Sequence, residues 1–263
     1  MVVYKTEQDL EKMRISADLL GRTHGEVAKH IKLGVLTKDL DKVAFEFISD
    51  NGAKPSFLNY RGFPASLCIS VNDVVVHGIP GHYALKEGDI VSIDCGVLLN
   101  GFHADSAFTY GIGNVKPEVK KLMTVTRESL EKGIEQVKPY SRTGDIGFAV
   151  QAYVQKFGYS VVRELTGHGV GKNLHEEPDV PNYGKRGTGT MIRNGMTIAI
   201  EPMVNMGKKE VFQERDGWTI RTKDGMPSAH YEHTVGLFNN QVLILTTFKY
   251  IEEVLATSNE GVC

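Results

Sequence analysis

Apolar positions recur at helical spacing from the start of the chain. Leu10, Met13, Ala17, Leu20, Val27 and Ile31 follow Thr6 and Asp9, a pair spaced as a capping box. An amphipathic helix is predicted from Thr6 to about Ile31. A second starts near Thr37, turns Leu40, Val43, Ala44, Phe47 and Ile48 inward, and stops at Asn51-Gly52, which suits a left-handed cap. The period then shortens. Leu67 to Val71, Val74 to Val76, Ile90 to Val97 and Phe102 to Tyr110 are rich in β-branched and aromatic residues and are separated by turn signals such as Asn100-Gly101, so antiparallel strands are predicted. Pro117 opens two more helices, Glu118 to Val137 and Thr143 to Phe157. Strands are predicted again over Tyr159 to Arg163, Met196 to Asn205, Trp218 to Arg221, His230 to Phe238 and Val242 to Thr247.

The order helix, helix, strands thus occurs twice, which predicts an α+β class built from two related halves, about 6–110 and 117–250, with a cleft between them. No Ser/Gly-rich linker divides them, so one domain over residues 1–263 is expected, with a loose tail after Glu253. Thirty basic against thirty-two acidic residues leave a formal charge of -2, which offers no footprint for nucleic acid or an anionic membrane. Three cysteines without CxxC spacing argue against a disulfide framework or structural zinc. No secretory signal and no apolar run of roughly 18 residues is present, so a cytoplasmic protein is expected.

The first hairpin carries the chemistry. A two-residue turn at Asn100-Gly101 pairs residue 99 with 102 and 94 with 107, which puts Asp94 and Asp105 on one sheet face at diagonal-neighbour distance. Two such carboxylates repel unless they share a proton or a cation neutralises them, although either Asp alone also reads as a solvated turn residue. Glu201, before Pro202, and Glu232 sit in strand-like runs, as outward-facing residues or as ligands. His168, in Thr166-Gly167-His168-Gly169-Val170-Gly171, is either a surface-loop histidine or an imidazole ligand. Four carboxylates and one imidazole would suit two divalent ions of the manganese, iron, cobalt or catalytic zinc kind. A P-loop, an HExxH site and a GxSxG elbow are all excluded by the residues present.

In order and spacing, Asp94, Asp105, His168, Glu201 and Glu232 resemble the dinuclear site of the methionine aminopeptidases, and the resemblance extends over about residues 4–250. It includes Asn72 to Pro80, Asp94-Cys95-Gly96, Thr166 to Gly171, His175-Glu176-Glu177-Pro178 and Ile200-Glu201-Pro202. It implies the pita-bread fold, two pseudo-symmetric halves with helices outside a curved antiparallel sheet. The compact length resembles type I enzymes of bacterial kind, without an N-terminal zinc-finger extension. The implied activity is removal of the initiator methionine from nascent chains and peptides with a small second residue, by a hydroxide held between the ions. Asp94 and Asp105 would bind one ion, and Asp105, His168, Glu201 and Glu232 the other, with Asp105 and Glu232 bridging and Glu201 also shuttling the proton. His77 and His175 would contact the substrate amide and carbonyl. Tyr60, Phe63, Cys68, Leu174 and Trp218 fall near the methionine side-chain pocket, although core packing explains each equally well. Leu174 replaces a common aromatic residue, and Phe57 stands where many bacterial members have Cys. By analogy, Asn72, Val74 and Ser228 would hold a sodium or potassium ion.

The resemblance further implies a monomer with access to the ribosome. His24 and His30 fit an exposed helix face, while His82, His103, His230 and His233 have no role beyond support of the site. Two rivals share this fold: an Xaa-Pro peptidase, which typically carries a preceding domain, and a catalytically dead binding module, against which the complete ligand set argues.

Overall fold

A computed structural model describes residues 1–257 and 262–263. Helix α1 (Glu7–Ala28) begins at the expected cap, where Thr6 Oγ1 accepts the Asp9 N–H at 3.2 Å and the Asp9 carboxylate accepts the Thr6 N–H at 3.0 Å. Helices α2 (Thr37–Asp50), α3 (Pro117–Ile134) and α4 (Thr143–Gln155) also form where the apolar period places them.

A nine-stranded antiparallel sheet curls beneath these helices. At its centre lies the hairpin Ile90–Leu99 and Phe102–Gly111, in the register derived from the turn: Leu99 opposite Phe102 and Asp94 opposite Ala107. Leu67–Val71 pairs with the first of these strands, and Glu232–Phe238 with the second. Thr197–Ile200, Thr166–Gly169 and Glu176–Pro181 continue the sheet beyond it. Leu20 from α1, Leu122 from α3, Val150 from α4 and Ile93, Ile198 and Val235 from the sheet share one buried core.

Two predicted runs are each split in two. Pro202 cannot donate to a ladder, and it separates Thr197–Ile200 from Met203–Asn205, which belongs to a different, three-stranded sheet with Ser228–His230. Tyr231 separates Ser228–His230 from Glu232–Phe238, so this run too passes from one sheet to the other. Glu201 therefore follows the end of one strand and Glu232 opens another, each at a point where the chain changes sheet. A further three-stranded sheet joins Val74–Val76, Ile220–Thr222 and Val211–Gln213.

The expected loose tail is corrected. Residues Lys249–Thr257 form helix α5, whose Ile251 is fully buried, and Cys263 exchanges backbone hydrogen bonds with Gly111. The remainder of the tail, 258–261, lies outside the described residues. His24 is corrected too: it is buried, because α1 packs against the sheet on one side and α5 on the other, and its Nε2 lies 2.9 Å from the Ser106 carbonyl oxygen. His30 is exposed, as expected. Among the described residues, no helix is long and apolar enough to cross a membrane.

Candidate active site

The central hairpin fixes the floor of the site. Asp94 and Glu232 both face Ala107 from neighbouring strands, and Asp105 lies two residues from Ala107, so the three carboxylates share one face. His168 reaches them from the strand Thr166–Gly169, where the ladder shifts register between Gly167 and Gly169 and so frees the intervening residue. Both glycines are required, since a Cβ at Gly167 would lie 2.3 Å from the Ala199 carbonyl oxygen and one at Gly169 would lie 2.3 Å from that of Glu177. His168 Nδ1 lies 2.9 Å from the Gly169 carbonyl oxygen, which accepts its proton and turns the bare Nε2 toward the acids. That nitrogen is 3.8 Å from Asp105 Oδ2 and 3.6 Å from Glu201 Oε1.

Burial pushes all four carboxyls up, Asp94 to about 7, and their mutual repulsion raises Asp105, Glu201 and Glu232 further. Burial also holds His168 down at about 4, so its imidazole is neutral. Asp94 Oδ1, Asp105 Oδ1 and Glu232 Oε1 are buried without a hydrogen-bond partner. Ligand atoms of Asp105, His168 and Glu232 lie within 4.8 Å of one another. Orphaned carboxylate oxygens beside an oriented imidazole lone pair are what a divalent cation requires, so these residues fit such an ion.

These acids open into a cavity of about 200 Å³. Phe57, Phe63, Cys68 and Leu174, from a separate buried cluster against which Tyr60 and Trp218 pack, form its apolar wall. Phe63 meets Trp218 edge to face at 5.2 Å, and Cys68 lies opposite Asp94 in the sheet register. Every pocket residue named from the sequence is therefore in the cavity lining. Burial raises the Cys68 thiol well above its usual range, with Asp94 adding to the effect, which keeps it protonated.

His77 and His175 enter the same cavity. His77 follows the strand Val74–Val76 in a left-handed conformation (φ 58) that aims its ring at the cleft, edge-on to Trp218 at 6.4 Å. His175 stacks on Tyr60 at 5.2 Å, its Nδ1 lies 2.8 Å from the Tyr60 hydroxyl, and its ring centre is 4.0 Å from that of His168. The residue is exposed at the cleft, but desolvation of its ring there and the neighbouring His168 lower it to about 3, so it is neutral.

One supporting residue, Lys5, carries no local signal in the sequence. Lys5 makes a buried 2.6 Å ion pair with Glu176, next to His175. Nε2 of His230 is 3.9 Å from Glu201 Oε2. His103 instead bonds Ser56, and His233 stacks on Phe248 and bonds Thr246. Asn72, in a left-handed conformation (φ 55), accepts the Ser228 N–H at its carbonyl at 2.9 Å, with Val74 starting the adjacent strand.

Residues 11–237 match the model of Metallopeptidase family M24. The chain is 51% identical over 249 residues to a methionine aminopeptidase of Clostridium perfringens, covering 95% of this chain and 100% of that one. It is 49% identical to methionine aminopeptidase 1 of Bacillus subtilis, covering 94% and 99%. The crystal structure of methionine aminopeptidase from Rickettsia prowazekii superposes with a TM-score of 0.92 at 43% identity, covering 94% of this chain and 100% of that one. The curled sheet with its outer helices is thus the pita-bread fold. The chain belongs to metallopeptidase family M24 and, within it, to the methionine aminopeptidases.

Proposed function

We propose that this protein is a metal-dependent aminopeptidase that removes the N-terminal initiator methionine from nascent proteins and peptides whose second residue is small. The observation that carries this reading is one cavity in which orphaned acid oxygens and His168 face an apolar wall sized for a single side chain. Asp94 and Asp105 would hold one divalent ion, and Asp105, His168, Glu201 and Glu232 a second, with Asp105 and Glu232 shared. Cobalt, manganese, iron and zinc all suit this oxygen-rich donor set. Such ions supply Lewis-acid activation of water at neutral pH when bound.

The chain's own groups do the rest. Tyr60, Phe63, Cys68, Leu174 and Trp218 enclose the methionine side chain, and burial of its thioether chain supplies binding energy. With the Tyr60 hydroxyl donating to Nδ1, neutral His175 carries its proton on Nε2 and donates to the carbonyl oxygen as negative charge develops there. His77 hydrogen-bonds the substrate amide. Glu201 accepts a proton on its carboxylate and returns it to the leaving amine, with His230 behind Oε2. A crowded space for the second residue excludes bulky side chains, since overpacking penalties of about 1–3 kcal/mol suffice.

The same reading takes residues 1–263 as one domain, supported by a core that draws on both halves. It includes a sodium or potassium ion around Asn72, Val74 and Ser228, a monomer, a cytoplasmic location and encounter with nascent chains at the ribosome. Purified protein titrated with divalent metal and supplied with Met-Ala-Ser beside Ala-Pro-Ala tests the activity. Methionine release from the first, lost in Asp105→Asn and Glu201→Gln, is expected. Cleavage of the second alone would favour an Xaa-Pro peptidase, and metal-replete protein inert on both would indicate a binding module.

A further inference from the structure

The roles assigned above use the charged groups lining the cavity except one. Arg61 is the single permanent cation among the described lining residues. It is exposed at the mouth, in a turn where Asn59 (φ 65), Arg61 (φ 49) and Gly62 (φ 90) are all left-handed. That conformation is disfavoured for a long side chain, and such residues concentrate where a side chain has to be aimed. The guanidinium carbon lies 5.4 Å from the Tyr60 ring centre, Tyr60 stacks on His175, and His175 packs on His168. A continuous ladder therefore leads from solvent to the floor of the site. Among the described residues, no carboxylate lies within ion-pair distance of Arg61, so the charge at the top of the ladder is not neutralised.

We propose that Arg61 is a specificity-determining residue that reads the substrate just beyond its small second residue, favouring an acidic side chain there over a neutral one and disfavouring a basic one. The proposal rests on the aminopeptidase reading. With the methionine side chain against Phe63 and Trp218 and the scissile carbonyl at His175, the remainder of the substrate leaves through the mouth. The Arg61 guanidinium carbon and the His175 ring centre lie 5.4 and 5.2 Å from the Tyr60 ring centre, a span that an extended chain at about 3.3–3.6 Å per residue covers in at most about three residues, so the third or fourth residue passes Arg61. Stacking on Tyr60 restrains the guanidinium, which limits the ordering needed to pair it with an incoming carboxylate. The pair remains solvated, so the preference is modest, about two- to five-fold, and salt screens it.

The test uses metal-loaded protein and C-terminally amidated Met-Ala-Xaa-Ser peptides with Xaa as Glu, Gln or Lys, so that no terminal carboxylate mimics the side chain. The expected kcat/KM order is Glu, Gln, Lys. The Glu-to-Lys ratio should fall near unity in Arg61→Gln, invert in Arg61→Glu, and shrink in wild type as ionic strength rises. If Arg61 only held Tyr60 in place, its variants would slow all three peptides alike, and an unchanged ratio would overturn the proposal. Methionine release at equal rates from the three peptides by wild type would also overturn it while leaving the aminopeptidase reading intact. Release from none of them would bring down that reading itself.

Discussion

The two faces of the hairpin Ile90–Leu99 and Phe102–Gly111 behave in opposite ways. On the helix side, Ile93, Cys95, Phe108 and Tyr110 are buried in the main core, and each large apolar side chain there contributes about 1.5–3 kcal/mol. On the cavity side, one residue out of step, Asp94 and Asp105 each hold a buried carboxylate oxygen without a hydrogen-bond partner and are pushed toward protonation. The outer face stabilises the fold, while the inner face weakens it until cations arrive. A site that violates the local rule on strands that otherwise obey it is where function is expected. Glu176 offers a second contrast, because it is equally buried but has a cation within the chain, Lys5.

Asp105→Asn or Glu232→Gln should break the inner face most severely. Metal-loaded turnover is expected to fall by more than about 100-fold, the upper end for a residue that only supports a ligand. Methionine release kinetics read this, and a smaller loss would remove these carboxylates from the ligand set. Lys5→Met should destabilise the fold by about 3–5 kcal/mol, because it leaves Glu176 charged and unpaired, with Lys5→Arg recovering part of the loss in urea melts. An unchanged midpoint would show that the pair is dispensable. On the outer face, Ile93→Ala should cost about 2–5 kcal/mol of stability, read in the same melts.

The smallest expected effect is the dependence of the metal-free protein on pH. Asp94 has a folded value near 7, above its ordinary 3.8, so between those values the folded state holds protons that the unfolded state has released. Its contribution to stability is therefore fully present below the unfolded value and is lost as pH rises through the folded one. Metal-free Asp94→Asn should show a flatter stability profile across that window and a gain of roughly 1–3 kcal/mol over wild type at neutral pH. Thermal melts across that range check this, and parallel profiles would refute it.

Much of this contrast is legible in the sequence. The turn at Asn100-Gly101 and strict alternation fix the register, and hence the shared face of Asp94 and Asp105, without any tertiary information. The first four helices follow from caps and period. His168 could be singled out by its flanking glycines, but its strand could not, because Thr166-Gly167-His168-Gly169 has no apolar alternation. Lys5 pairs across 171 residues and Arg61 stacks through a turn geometry, and neither leaves a periodic trace. His24 looks exposed beside Arg22 and Glu26, and only the packing of α1 against the sheet and α5 encloses it. That helix did leave a signal: Phe248, Ile251, Val254 and Leu255 are spaced for one helical face.

Calorimetric titration of chelator-stripped protein with manganese or cobalt at neutral pH tests the central claim most directly. Cation binding to acids held partly protonated by burial should release protons, giving a heat that varies with the buffer's ionisation enthalpy, and Asp105→Asn should weaken the binding at least tenfold. Absence of saturable binding, or binding that Asp105→Asn leaves unchanged, would contradict it.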